Sequence, residues 1–426
     1  MGMNRGLTCT IVQGLPYVAT SLYVLFLLGP KAGISFPFES SNEKRADTQS
    51  ETSSESAAQL LKQQFINPSE IFSVLLIIGG DIVQKACAQL SGGPKGLPIT
   101  PVAFSFGWVA FAFGALMSAF GDGSLMPVTD ITSTVAVVGG QRKTNESWVL
   151  GRLIRDLELD NKRYNEDNTP KLGGLSVRFY RTSGKSCAPH RDWIWKSFGL
   201  FIPLQLGVAA APMYHRNWSI LMITAFGTAL ALTMGSLPQW RAEKFHGRMR
   251  TGGQYVLTRG NGHSHAFVIR NLGEDTFITL DDLAITRPLP DWRERAILVT
   301  LAVLWITLLI TVGGTKEDTW FLLGVGVIGM THNVVVAGFR RQPKAHGIPI
   351  VADETLNVDH VDADTVFSAI QQAEEVCPGV GVTLIPSFYP DGLRPDQQSW
   401  LETSKSNVRA KQEQRAQAVP IHANTS

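Results

Sequence analysis

Asp81 and Lys85 stand four residues apart in an otherwise apolar stretch, IFSVLLIIGGDIVQKACAQL at 71–90. An acid placed one turn before a base is a favourable helical pair. Ionisable groups are costly inside a membrane span and default to a functional hypothesis there. Asp81 could donate a proton or bind a cation. The competing structural reading is that the pair ties its helix to a bundle, or that Lys85 reaches out to the surface. His332 and Asn333 follow Gly324, Gly326 and Gly329 in a second apolar run. A histidine there could shuttle protons or accept one from a substrate, or it could bond a neighbouring helix. These four residues are the candidate catalytic groups. Gln205, two residues after Pro203, has a simpler use, since proline frees a carbonyl that a nearby amide can satisfy.

The polar regions offer less. His263 and His265 form an HxH pair beside a turn; on a strand the two would face the same way and could bind a metal, but no third ligand is evident. GKS at 184–186 is not a phosphate loop, because Phe179 occupies the position five before Gly184 where a glycine is needed. Asp281 and Asp282 suggest a diphosphate–magnesium site, yet a second acidic motif is missing, so they are expected to begin a surface helix. The four cysteines are scattered without a CxxC, which argues against a disulfide framework or structural zinc. The net charge of +2 and the lack of a basic run interleaved with aromatics leave no case for nucleic acid. No metal or cofactor is predicted. The last apolar run has no lysine for a retinal Schiff base, no Walker A motif appears, and no matched half-repeats point to a secondary transporter.

These residues need elements to hold them, and the chain is organised around Pro101 to Gly121, PVAFSFGWVAFAFGALMSAFG, which carries no charge over about the ~20 residues that cross a bilayer as a helix. Ala103, Gly107, Ala110, Gly114, Ser118 and Gly121 are spaced by threes and fours and would share one helical face, with Phe106, Phe113 and Phe120 on another. Small residues let membrane helices approach closely. The expected fold class is an all-α polytopic membrane protein with about seven transmembrane helices and cytosolic α+β loop regions. The expected organisation is a first span in 1–30 and a disordered polar linker at 31–69. Spans two and three follow in 70–121, and a loop region at 122–196. Spans four and five occupy 197–237, and a second loop region with a hairpin lies at 238–295. Spans six and seven fill 296–339, and 340–426 is a tail with one amphipathic helix, polar and disordered from about Pro395. If 71–90 does not cross, the spans number six.

Within the loops, SWVLGRLIRDLEL (147–159) reads as an amphipathic helix, LSVRFYR (175–181) as a strand, and QYVLTRGNGHSHAFVIR (254–270) as two strands around a turn. Lys and Arg concentrate at 178–196, 241–250 and 287–295, which predicts that both long loops and the C-terminus are cytosolic. On that topology none of the sequons at Asn145, Asn217 and Asn424 should carry sugar.

The strings GDIVQKACAQLSG, ITPVAFSFGWVAFAFGALMSAFGDGSLMP, SWVLGRLIRD, LPQWRAEKF, LTRGNG, LAVLWITLLITVGGTKEDTWFLLGVGVIGMTHNVVVAG and PGVGVTLIPSFYPDGLR resemble a family of multi-pass integral membrane proteins of filamentous fungi, some of which occur beside secondary-metabolite genes. The resemblance covers roughly residues 70–400 and carries over no residue role. It implies an accessory protein of fungal secondary metabolism handling a hydrophobic small molecule, in the plasma membrane or endoplasmic reticulum, with the lipid bilayer as its first partner. An isoprenoid-cyclase-like intramembrane enzyme using Asp81 as acid, and a receptor or scaffold, are the other readings.

Overall fold

The computed structural model describes residues 69–92, 99–121, 124–164, 174–184, 186–285, 292–315 and 317–418. The expected first span and nearly all of the polar linker lie outside the described residues.

The chain is mixed α/β, not all-α. Strands from three separate polar regions assemble one seven-stranded sheet. The first region gives β1 (Thr134–Val137), β2 (Arg142–Thr144) and β3 (Leu175–Thr182); the second gives β4 (Met249–Thr258) and β5 (His265–Ile278); the tail gives β6 (Ile350–Ala352) and β7 (His360–Ala363). Their order is β2-β1-β4-β5-β3-β6, with β7 pairing β3 beside β6. Only β3 and β5 run parallel; the hairpin β4–β5 and the other pairs are antiparallel. Apolar counting along the chain missed this sheet because its strands are short and meet only across long sequence separations.

Side chains alternate across the sheet. Val177, Phe179, Val256 and Val268 face one side, covered by α11 (Val366–Val376) and α12 (Val380–Phe388). Tyr255, Leu257, Phe267 and Ile269 face the other and join the main core, with α3 (Trp148–Tyr164) and α8 (Leu280–Ile285). The tail from Pro395 is ordered, against expectation: Pro395–Ala418 forms α13. Trp400 and Leu401 pack on the smaller core, Ser404 is buried, and Trp400 meets Phe367 edge-on at 5.4 Å. That stripe, at threes and fours, is sparse enough to vanish in a polar composition.

Four helical segments among the described residues are long and apolar enough to cross a membrane, against an expected count of about seven. They are Trp193–His215, comprising α4 (Trp193–Lys196), α5 (Phe198–Ala210) and a 3₁₀ turn; Ser219–Lys244, comprising α6 (Ser219–Gly235) and α7 (Pro238–Lys244); α9 (Trp292–Gly314); and α10 (Thr319–Gly338). With α1 (Ser69–Leu90) and α2 (Gly107–Phe120) they close a ring in which each helix touches the next: α1, α2, α9, α6, α5, α10 and back to α1. The sheet caps one end of this ring.

The organising stretch is not one helix. Residues 101–105 have no regular secondary structure, and α2 begins only at Gly107. The extended part enters the ring from the sheet end, where the Thr100 N–H bonds Ser236 Oγ at 3.2 Å. It runs along the axis until the Phe104 ring lies against Gly227 of α6 and stacks on Trp305 of α9 at 6.1 Å. The chain then turns and α2 returns. Beyond its end, the Leu125 and Met126 N–H groups bond Glu243 of α7 at 3.2 and 2.8 Å, back at the sheet end. A run of ~20 apolar residues is long enough to cross a bilayer, but the same run also fits a non-helical limb of at most about 17 Å followed by a helix of about 21 Å. The small-residue face is split accordingly. Gly107 and Ala110 meet Gly79 and Gly80 of α1, whereas Gly114 faces open space.

Candidate functional site

Backbone outside a helix or sheet leaves most of its polar groups unpaired, so an axial limb inside an apolar ring needs partners from its neighbours. Gln205 of α5 supplies them, donating from Nε2 to Phe104 O at 2.7 Å and to Val325 O at 2.8 Å. Asn333 of α10 donates from Nδ2 to Ala103 O and Ser105 Oγ, each at 3.1 Å. Trp108 Nε1 donates to Ala103 O at 2.9 Å. Gly329 makes the fit possible: a methyl group there would overlap the Phe104 carbonyl oxygen. Asn333, a candidate catalytic residue, is thus a clamp for the limb, and so is Gln205. His332 points elsewhere. Its Nε2 is 2.9 Å from Ser197 Oγ, which itself donates to Ile194 O at 2.7 Å, and its ring lies 4.7 Å from Phe201. Since the hydroxyl proton is used on Ile194, the network assigns the imidazole proton to Nε2. His332 and Asn333 therefore serve different neighbours.

Asp81 and Lys85 form their ion pair at 3.0 Å. Lys85 also lies 3.5 Å from Asp130, which Arg152 of α3 holds at 3.2 Å. The Asp81 side chain is 68% exposed, and these ion pairs link α1 to α3 through Asp130. Gln84, between them, donates to Leu125 O at 2.9 Å. The structure does not bring this pair together with His332.

A larger polar cluster, absent from the sequence reading, sits where ring and sheet meet. The C-terminus of α1 presents carbonyls with no helical partner, and three cations clasp them. Lys244 donates to Ala88 O (2.8 Å), Gln89 O (3.3 Å) and Ser91 O (2.8 Å). Arg341 reaches Gln89 O at 2.5 Å, and Arg241 reaches Gly92 O at 2.7 Å. Burial, with the Arg341 and Arg241 charges, pushes the Lys244 pKa well down; against this, positive charge is favoured at a helix C-terminus, and three carbonyl acceptors match the three protons of an ammonium. Asp192 holds Arg341 through two bonds of 2.7 and 2.8 Å. Burial pushes the Asp192 carboxyl up, but the Arg341 hydrogen bond and charge outweigh it and leave it below the ordinary carboxylate range. Asp156 accepts from the Arg341 N–H at 3.0 Å and pairs with His346 Nε2 at 2.9 Å, both side chains being buried. Burial opposes its charge, yet the His346 bond, the Arg341 N–H and the Arg155 charge hold it low. Burial dominates at His346 and lowers its pKa, so neutral imidazole donates to carboxylate. Each of these residues looked like ordinary loop polarity in the sequence. The one signal was LPQWRAEKF, in which Gln239, Trp240, Glu243 and Lys244 are all buried despite its polarity.

The other candidates lie apart from this cluster. His265 is buried, 3.2 Å from Ser264 Oγ and edge-on to Phe267, while His263 is exposed; among the described residues no group of three metal-ligating side chains forms. Asp281 and Asp282 do open α8. Asp281 pairs with Lys143 at 3.1 Å. Asp282 takes a two-pronged Arg248 at 2.6 and 2.9 Å, whose bonds hold its carboxyl well below the ordinary range. Asn145 is buried, with its amide donating to Ser133 Oγ and to Ser147 O at 3.1 Å each, so its sequon is closed to sugar. A cleft between Ser124, Trp148, Glu243 and His246 leaves about 20 Å³, space for roughly one water.

No protein-family model, curated protein or solved structure matches this chain.

Proposed function

We propose that the protein is a membrane-integrated scaffold that fixes a folded α/β module at the bilayer surface. One observation carries this reading: three polar regions, separated by apolar helices, fold into a single sheet fastened to the ring through the Lys244–Arg341 cluster. The ring interior favours a supporting role over a permeation path, since its axis holds backbone and stacked rings, with Trp108 and Phe104 both stacked on Trp305 at 5.7 and 6.1 Å. The outer surface fits a bilayer. Large apolar side chains such as Met222, Ile310, Val303 and Leu200 are exposed there, an arrangement rare on soluble monomers. The 23 residues of α9 give about 34 Å, matching the ~30 Å hydrocarbon core. Exposed Trp193 and Trp292 mark the sheet end, and Tyr214 and Trp218 the far end, as interfacial belts do. The basic residues near the sheet end, at 178–196 and 241–250, support a cytosolic sheet.

The exposed face of α13 is the natural place to detect a partner. Photo-crosslinking residues at Glu402 and Lys405 should give discrete adducts in native membranes; membranes that yield none at either position refute the scaffold. A second reading, handling of a lipophilic molecule, draws support from α2, a short helix that shows Phe113, Met117 and Phe120 to the outside. Deleting the gene and profiling metabolites in cells and medium separates the two. An unchanged profile in both fractions leaves the scaffold, and a lost or retained product favours the lipophilic ligand.

A further inference from the structure

We infer that the sheet end of α4 and α5 is a binding site for an anionic phospholipid. The inference rests on the ring spanning a bilayer. Three basic residues belong to this end: Arg191 just before α4, Lys196 at its last position and Lys344 in the 3₁₀ turn beside it. Their placement is fixed locally. The His190 N–H bonds Lys344 O at 2.9 Å, which brings the 3₁₀ turn Pro343–His346 against the start of α4. Arg191 lies over the Trp195 ring at 4.5 Å. Lys196 ends α4 with its backbone N–H on Asp192 O at 3.1 Å and its side chain exposed, as that of Lys344 is. Asp192, the carboxylate between Arg191 and Trp193, is already paired with Arg341. The patch is therefore cationic beyond what its sequence suggests.

Its apolar context selects a lipid as the anion's source. Trp193 is exposed and packs edge-on against Phe339, the residue that ends α10, at 4.7 Å. An indole there marks the depth of the headgroups. Next to these residues, the segment Trp193–His215 that contains α5 is the least buried of the four candidate spans, at 17% against 33–56%. Leu200 and Leu204 project from it, while Gly199 and Gly207 leave open space beside them. That shallow relief gives acyl chains a bed immediately next to a cluster that attracts their phosphate. Lys and Arg at a membrane surface each add to the binding of anionic lipid, and a second cation cluster, Arg293 and Arg295 at the start of α9, provides an internal control.

The full-length protein is reconstituted into phosphatidylcholine vesicles with or without phosphatidylglycerol, using brominated forms of either lipid as quenchers. The fluorescence lost in the Trp193→Phe, Trp195→Phe variant isolates the signal of these two rings. Brominated phosphatidylglycerol should quench it more than brominated phosphatidylcholine at equal mole fraction. Lys196→Gln and Lys344→Gln should each reduce the preference by about fivefold, whereas Arg293→Gln should leave it unchanged. Equal quenching by both lipids in the wild type overturns the site, as does a preference that survives the combined Lys196→Gln, Lys344→Gln variant. Competition by soluble glycerol phosphate would overturn the lipid as source. Alkaline carbonate extraction keeps the premise separate: release of the protein sinks the spanning ring itself, while retention without lipid preference sinks only the site.

Discussion

Replacing Gly329 by alanine tests the axial limb directly. The added methyl would overlap Phe104 O and lie 2.7 Å from Gln205 Nε2 and 2.8 Å from Phe104 C. Two of these neighbours are backbone, so α10 or the limb must move. Overpacking of this kind costs about 1–3 kcal/mol. The movement also breaks the 2.7 Å bond from Gln205, and a buried carbonyl left without a partner costs about 1–3 kcal/mol more. The expected destabilisation is therefore roughly 2–6 kcal/mol. Gly324→Ala on the same helix is the matched control. Its methyl would meet only Val208 Cγ1 at 3.7 Å, an ordinary contact, and alanine's higher helix propensity should offset any cost. Cys87, fully buried on α1, makes a convenient reporter: a thiol-reactive dye followed on heating the detergent-solubilised protein reads its exposure. Gly329→Ala should unmask the thiol well below the wild-type temperature and Gly324→Ala should not. If the two variants unfold together, residues 101–106 do not run along the ring axis.

Three further outcomes follow from the same geometry. Single cysteines at Ile99 and Val128, both exposed, should be labelled by an impermeant reagent from the same side of the membrane as one on α13; labelling from opposite sides would restore a crossing helix. Lys244→Met keeps the volume but removes three bonds to the α1 C-terminus, and Ser91 O then has no other donor among the bonds described, so a loss of roughly 2–4 kcal/mol is expected; unchanged thermal stability would show that the clasp contributes nothing. The Asp156–His346 pair predicts a pH dependence. Both pKa values are lower in the fold than in the unfolded chain, so the unfolded chain binds more protons and stability falls with pH. For His346 the loss begins below about pH 6.5, with a slope of at most ~1.4 kcal/mol per unit. His346→Gln, which can still donate to Asp156, should flatten that segment of the curve, and an identical slope in the variant would assign the dependence elsewhere.

Uninterrupted apolar composition determined the helices at 198–210, 219–235, 292–314 and 319–338, because a run of that length must leave water whatever surrounds it. Local periodicity likewise determined α3, β3, the β4–β5 hairpin and α11. The pairing of Asp81 with Lys85 was also legible, since i,i+4 geometry is a property of the helix alone. Only the tertiary structure decided that the strands belong to one sheet, because hydrogen bonds between β1, β4, β3 and β7 join segments far apart in the chain. Only it decided that Pro101–Gly121 doubles back, because apolarity fixes how much chain avoids water and not the path it takes there. The deciding contacts come from elsewhere: Gln205 and Asn333 replace the missing helical bonds, and Gly329 yields the space. The same holds for Lys244, Arg341, Asp156 and His346. A charged residue in a polar stretch is a surface residue by default, and what buries these four is the meeting of the α1 C-terminus with two segments more than 150 residues further along the chain and, through Asp156, with α3.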